Sequence, residues 1–489
     1  MEIPAGLTTD SRAFDKSAMD SGIPSLLLME NAAMSVFFEI RELVPRFDKV
    51  VVFAGGGGNG GDGLALLRIL TDRIPEADLQ LMLFGKFDDP AADYSKNAAA
   101  FNYKILPDSV KILNDLNEIS GRVLFVDAMV GTGLKSALRD EMSAAAEFIN
   151  SYDPKKKFVV SVDIPSGIDS DTGRATGTAV TADLTVTMGI WKVGLFAETG
   201  AARCGKTVLG KISATQKNNQ KFQYFVEDDP KPLPHKVPVD GFKNRNGHLL
   251  VIGGDIDKIG ATIIAAKSFM ACGGGLVTAA FPKALHPQIA GVMPGMMLAD
   301  TNGLESKIGN YTAIVIGPGL TKIPFDLGIL RDFKGTVVVD AGMFDLMKND
   351  ERISRVLAGL KVVFTPHQGE LRRFLGAAKD EPWVSLVARF PLEKEHILVA
   401  KSHATFVKTP EKTVIVPHGA KALAFAGSGD CLTGIIACET LFHGLAKGAV
   451  NGVIRHRAAG LLLEENFSAT AHDIELLVKQ IALTGRDEN

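Results

Sequence analysis

Short runs of β-branched and apolar residues recur along this chain, separated by stretches with helical spacing. In the first half they are Lys49 to Ala54, Leu79 to Phe84, Arg122 to Val126, Phe158 to Val162 and Leu184 to Thr187. Strands that alternate with helices are joined by crossovers and so lie parallel, which predicts an α/β, doubly wound sheet. The same grammar returns at His248 to Ile252, Ala313 to Ile316, Thr336 to Val339, Val362 to Thr365 and Ile397 to Ala400. A second α/β domain is expected there.

Two domains also follow from size, because 489 residues exceed the roughly 250–300 that one hydrophobic core serves. The stretch Glu227 to Asp240 carries Pro230, Pro232, Pro234 and Pro238, which remove backbone donors and fix φ. The boundary is placed there, giving domains over 1–226 and 236–489. The halves share a grammar but no motif, so each is expected to do different chemistry.

A formal charge of −3 supplies no electrostatic drive toward nucleic acid or an anionic membrane, and small molecules are the expected partners. No apolar run of about 18 residues and no basic-then-apolar leader occurs, which predicts an unanchored cytoplasmic protein. Cys204, Cys272, Cys431 and Cys438 have no metal-ligand spacing, so neither a disulfide framework nor a zinc site is expected.

Ala54 to Gly63 reads Ala-Gly-Gly-Gly-Gly-Asn-Gly-Gly-Asp-Gly between a strand and the helical run Leu64 to Leu70. Gly55, Gly57 and Gly60 match a dinucleotide fingerprint, a weak signal in so glycine-rich a segment. Asp62 opposes that reading, since a carboxylate at a helix start repels pyrophosphate. A tight strand-to-helix turn capped by Asp62 is the plainer alternative. Two further loops place Asp127 and Asp163 after buried strands, where a carboxylate must be paired, hydrogen-bonded or bound to a cation. Asn59, Asp127 and Ser166 offer oxygen ligands only, which suits a hard cation and not zinc.

In the second half, Ala426 to Gly434 reads Ala-Gly-Ser-Gly-Asp-Cys-Leu-Thr-Gly and opens an apolar helix through Leu441. The N–H groups of Gly427, Ser428 and Gly429 would form an anion hole at the helix start, with Asp430 facing the acceptor hydroxyl as its base. A glycine turn capped by Asp430 is the plainer alternative. Glycine turns at Val251 to Asp255 and Ile316 to Leu320, and the loops Thr365 to Glu370 and Ala400 to Thr405, also leave strand ends.

The first-half loops resemble those of the NAD(P)H-hydrate epimerase family, whose pattern runs Gly-Asn-Asn-Gly-Gly-Asp-Gly, Asp-Ala-x-x-Gly-Thr-Gly and Asp-x-Pro-Ser-Gly. Gly22 to Ala32 and Ala182 to Gly194 resemble it too, so the likeness covers about residues 1 to 225. It implies a Rossmann-like fold, potassium on Asn59, Asp127 and Ser166, and hydrated NADH or NADPH at Gly58, Asn59, Gly60, Gly61, Asp62, Gly131, Thr132, Gly133, Leu134, Lys135 and Asp163. Asp163 is the candidate acid or base. Residues 236 to 489 resemble the ADP- or ATP-dependent NAD(P)H-hydrate dehydratases of the ribokinase-like fold. That likeness implies substrate contacts at Ala261, Gly319, His367 and Asp430, and nucleotide contacts at Lys401, Ser402, His403, Ala404, Thr405, Gly427, Ser428 and Gly429. Magnesium and a homo-oligomer are expected.

The family's first loop Asn is Gly58 here, its Lys-Gly is Lys401-Ser402, its Thr-Gly-Gly is Phe425-Ala426-Gly427, its Asp-Ala-Asp is Asp340-Ala341-Gly342 and its Pro-Glu is Pro294-Gly295. Two rivals are a dinucleotide oxidoreductase fused to a small-molecule kinase, and an epimerase whose second domain binds nucleotide but has lost turnover.

Overall fold

The computed structural model describes residues 1–85, 98–134, 136–212, 221–235, 246–255, 257–417, 419–467 and 473–484. Lys135, Pro238 and the expected domain start at 236 lie outside them. The chain divides into two compact units, Ile3–Val226 and Glu227–Asn489, the latter also holding Met1 and Glu2.

In the first unit β1 (Glu2–Gly6) pairs in parallel with β8 (Trp191–Lys192). The main sheet comprises β2 (Lys49–Gly55), β3 (Leu79–Phe84), β4 (Lys111–Leu113), β5 (Val123–Ala128), β6 (Lys157–Val162), β7 (Leu184–Met188) and β9 (Lys206–Gly210). Its order is β4-β3-β2-β5-β6-β7-β9, with parallel pairing throughout. The central strands are apolar on both faces because helices cover both. Val50, Val52 and Ala54 pack with the helices Ser25–Ile40 and Gly58–Arg73, whereas Val51 and Phe53 pack with Asp140–Ser151. Burying each such side chain contributes roughly 1.5–3 kcal/mol. β10 (Tyr224–Glu227) lies beside β1.

The second unit repeats the plan. β11 (His248–Ile252), β12 (Leu276–Phe281), β13 (Met296–Asp300), β14 (Ala313–Ile316), β15 (Thr336–Val339), β16 (Lys361–Phe364) and β17 (His396–Ala400) pair in parallel in the order β13-β12-β11-β14-β15-β16-β17. β18 (Thr405–Lys408) and β19 (Thr413–Val416) extend the edge antiparallel. The helices Ile259–Ala271, Ser428–His443 and Leu445–Asn466 bury Ala265, Phe269, Ile435 and Val453 with Val251, Val315 and Val399 of the sheet.

The cysteines are free and buried, but they are not all apart as their spacing suggested. Ligand atoms of Cys272, Cys438 and His235 lie within 4.8 Å of one another. Among the described residues no helix is long and apolar enough to cross a membrane.

Candidate functional site

Each sheet reverses its strand order once, between β2 and β5 in the first unit and between β11 and β14 in the second. Loops leaving the carboxyl ends of such a pair diverge and open a crevice. In the first unit only glycine lets the loops meet: a Cβ on Gly55 would lie 1.9 Å from the Met129 carbonyl oxygen. Gly60 and Gly61 are buried beneath, and a cavity of about 890 Å³ opens above, lined by Gly58, Asn59, Asp62, Gly131 to Leu134, Asp163 and Lys192 among others.

Asp163 takes the left-handed φ of 70°, uncommon outside glycine, at the turn after β6. Its Oδ1 lies 2.6 Å from Lys192 Nζ and accepts from the Met188 N–H at 3.1 Å and Thr187 Oγ1 at 3.3 Å. Lys192 is 3% exposed, so the pair is shielded from solvent. Burial, and then the charges of Asp163 and Asp15, push the Asp62 carboxyl well above the usual range, with Lys192 opposing. Asp15 is raised as well, by burial first.

The three residues read as cation ligands fall into one neighbourhood. Asp127 is fully buried and accepts from Ser166 Oγ at 2.5 Å, the Ser166 N–H at 2.8 Å and Ser161 Oγ at 2.8 Å. Ser166 Oγ also accepts from the Val130 N–H at 2.9 Å, and a Cβ on neighbouring Gly131 would lie 3.2 Å from Asn59 Oδ1. Both polar atoms of the Asn59 amide are buried without a hydrogen-bond partner. Burial raises the Asp127 carboxyl despite its donors. An orphaned amide and a buried carboxylate on adjoining loops fit a hard cation.

In the second unit the Gly254 N–H donates to the Pro318 carbonyl at 2.8 Å, joining the loops after β11 and β14. Beside them lies a cavity of about 720 Å³ lined by Ala261, Gly319, Gly342, Glu370, Gly427 and Asp430 among others. Asp430 stands in the first turn of the Ser428–His443 helix, whose preceding Gly427 has φ 95°. Burial and then the charge of Asp340 raise its carboxyl to about 7, with Lys401 opposing and Glu370 adding. Lys401 Nζ donates to Asp340 Oδ1 at 2.9 Å, and a Cβ on Gly429 would lie 3.4 Å from that ammonium. Lys401 thus reaches the helix start, where an anion gathers N–H donors. Ser402 and His403 form the turn after β17, Ala404 is buried and Thr405 opens β18.

His367 does not line this cavity. Its Nδ1 accepts from the N–H groups of Gly369 at 2.9 Å and Glu370 at 3.3 Å, capping the helix Gln368–Leu375. The unexpected glycine at 342 has a steric reason, because a Cβ there would lie 1.8 Å from the Leu320 carbonyl oxygen. Gly58, by contrast, faces open space. Sequence reasoning assigned no role to Lys192, Asp15, Glu370 or His456. A lone lysine inside the apolar run Ile190 to Gly194 was the available signal for the first. His456 is pushed down to about 4 by burial and then Lys401, and its Nε2 lies 3.2 Å from Ser428 Oγ.

Two α/β units, each with a buried acid beside a glycine turn at its switch point, define a two-site enzyme for nucleotide-like ligands. Residues 25–194 match the YjeF-related protein N-terminus family, and residues 249–482 match the NAD(P)H-hydrate dehydratase family. The bifunctional NAD(P)H-hydrate repair enzyme of Moorella thermoacetica is 32% identical over 480 residues, covering 90% of this chain and 88% of the relative. Its counterpart from Dictyoglomus turgidum is 32% identical over 463 residues, covering 87% of each chain. An ADP/ATP-dependent NAD(P)H-hydrate dehydratase structure from Bacillus subtilis is 25% identical with a TM-score of 0.43, covering 52% of this chain and 93% of that one. The chain belongs to the bifunctional NAD(P)H-hydrate repair enzymes.

Proposed function

We propose that the first unit interconverts the epimers of hydrated NADH and NADPH, and that the second dehydrates one epimer at the expense of ADP or ATP. Both family matches occur in one chain, in the order of the relatives, and each contains a switch-point cavity with a buried acid.

In the first cavity Asp163, held by Lys192 and the Met188 N–H, is the base that takes the C6 hydroxyl proton as the C6–N1 bond opens to the aldehyde, and returns it as the ring recloses on the other face. Asp62, whose burial favours its protonated form, is the matching acid. The loop Gly131 to Leu134 borders the nucleotide. Asn59, Asp127 and Ser166 hold potassium, which supplies the positive charge that Asp127 lacks.

In the second cavity Asp430 removes the proton of the C6 hydroxyl, so that the hydroxyl oxygen can accept the terminal phosphoryl group of the nucleotide. The phosphate then leaves C6 with the C–O electron pair, C5 loses a proton, and the C5–C6 double bond of the dihydropyridine is restored. Gly427, Ser428 and Gly429 direct N–H donors at the moving phosphoryl, and Lys401 adds positive charge. The acids Asp340, Glu370 and Asp430 outnumber Lys401, a balance suited to a nucleotide that arrives with magnesium. The compartment implied is the cytoplasm.

The test uses purified protein and mixed hydrate epimers, with ADP or ATP supplied or withheld. Nucleotide-dependent recovery of reduced-nicotinamide absorbance is expected. A protein that binds nucleotide but never restores absorbance would favour the reading in which the second unit has lost turnover.

A further inference from the structure

Three side chains from separate segments meet in the second unit, outside both cavities. His235 belongs to the chain entering the unit, Cys272 follows the helix Ile259–Ala271, and Cys438 lies inside the helix Ser428–His443. Both thiols are buried and the imidazole is 9% exposed. Their ligand atoms lie within 4.8 Å of one another. A tetrahedral zinc with sulfur at about 2.3 Å and nitrogen at about 2.0 Å spaces its ligands about 3.5–3.8 Å apart, so closing onto an ion needs at most about 1 Å of movement.

The surroundings orient these three donors and leave the fourth position of the ion to Glu439 or water. His235 Nε2 lies 2.8 Å from Glu439 Oε1, the carboxylate–imidazole arrangement that orients a metal-bound histidine. Its other nitrogen, Nδ1, faces Gly273 beside Cys272, where a Cβ would approach to 3.2 Å. Glu439 is itself bonded by Arg455 and Asn451, and its Oε1 also accepts from the Cys272 thiol at 3.2 Å, a proton that the ion would displace. The charges of Glu439 and Arg455 cancel, so a divalent ion that displaces two thiol protons leaves the buried cluster's net charge unchanged. Sulfur and imidazole donors select against magnesium and potassium.

We infer that His235, Cys272 and Cys438 bind a borderline-soft divalent ion, Zn2+ foremost, as a structural staple. The ion would tie the entering chain at His235 to two core helices. The same segment is already anchored there, since Asn451 Oδ1 accepts from the Leu233 N–H at 2.8 Å.

The full-length protein, stripped by chelator and reduced, is titrated with Co2+ and then Zn2+. One equivalent of cobalt should bring a thiolate-to-cobalt charge-transfer band and intense visible bands, which zinc then abolishes. Two protons leave per ion, so affinity should rise about 100-fold per pH unit while both thiols are protonated. Cys272→Ser and Cys438→Ser should each weaken binding by about 100-fold or more, beyond the range of second-shell losses. No charge-transfer band in the unsubstituted protein would overturn the site, whatever the variants do. So would visible bands without charge transfer that survive both substitutions, which would place cobalt on the neighbouring set His235, Glu439 and His443.

Discussion

Asp430→Asn removes the proton acceptor from the second cavity while keeping its shape. Burial and the facing acids lift the Asp430 carboxyl from 3.8 to about 7, which disfavours its ionised form by roughly 4 kcal/mol relative to water. A base so poised is about one-tenth ionised near pH 6 and about nine-tenths ionised near pH 8. With the pKa raised, base catalysis is gained as pH rises through it and lost as pH falls. Dehydration kcat/KM of the unsubstituted enzyme should therefore climb about tenfold across that interval. In the variant the rate should fall by about 10²–10⁴-fold and the climb should vanish. Nucleotide affinity should change little, because the backbone donors of Gly427, Ser428 and Gly429 remain. Assays follow reduced-nicotinamide absorbance with pure dehydratase-competent epimer at saturating nucleotide. A flat profile in the unsubstituted enzyme, or near-normal turnover in the variant, would refute Asp430 as the base.

Lys192→Met should cut epimerisation about 10²-fold or more while sparing dehydration, as read by exchange between the epimers with nucleotide omitted. Asp127→Ala should lower epimerase activity and make it respond to potassium concentration; indifference to both would remove the cation assignment. Gly342→Asp should destabilise the second unit by about 1–3 kcal/mol, seen as a shifted urea midpoint, because Leu320 already fills the Cβ position. Cleavage next to Glu227, where the second unit begins, should leave two fragments that each unfold cooperatively; failure of either to fold would count against that boundary.

The parallel strands were legible because each is a short apolar run buried on both faces: Lys49, Leu79, His248, Ala313 and Thr336 all begin strands at the expected residue. β12 was not seen, since Leu-Val-Thr-Ala-Ala-Phe also suits a buried helix segment. β18 and β19 are short antiparallel additions that the βα rhythm does not announce. The glycine turns and their acids were legible as loops at strand ends. What sequence hid was partnership across distance. Lys192 reaches Asp163 from the short strand after β7, and Cys272 meets Cys438 only when two helices pack. His367 was open to two readings, because a histidine opening a helix reads the same whether it caps the backbone or touches a ligand.

Two consecutive activities in one chain are tested most directly by a single progress curve. Mixed epimers of hydrated NADH are given to the intact protein with ATP and magnesium, and the recovered NADH is compared with the total hydrate supplied. Recovery of the whole amount is predicted, with Asp163→Asn stopping at the share of the epimer that the second unit accepts. No recovery by the intact protein would contradict the account, as would complete, undelayed recovery by Asp163→Asn.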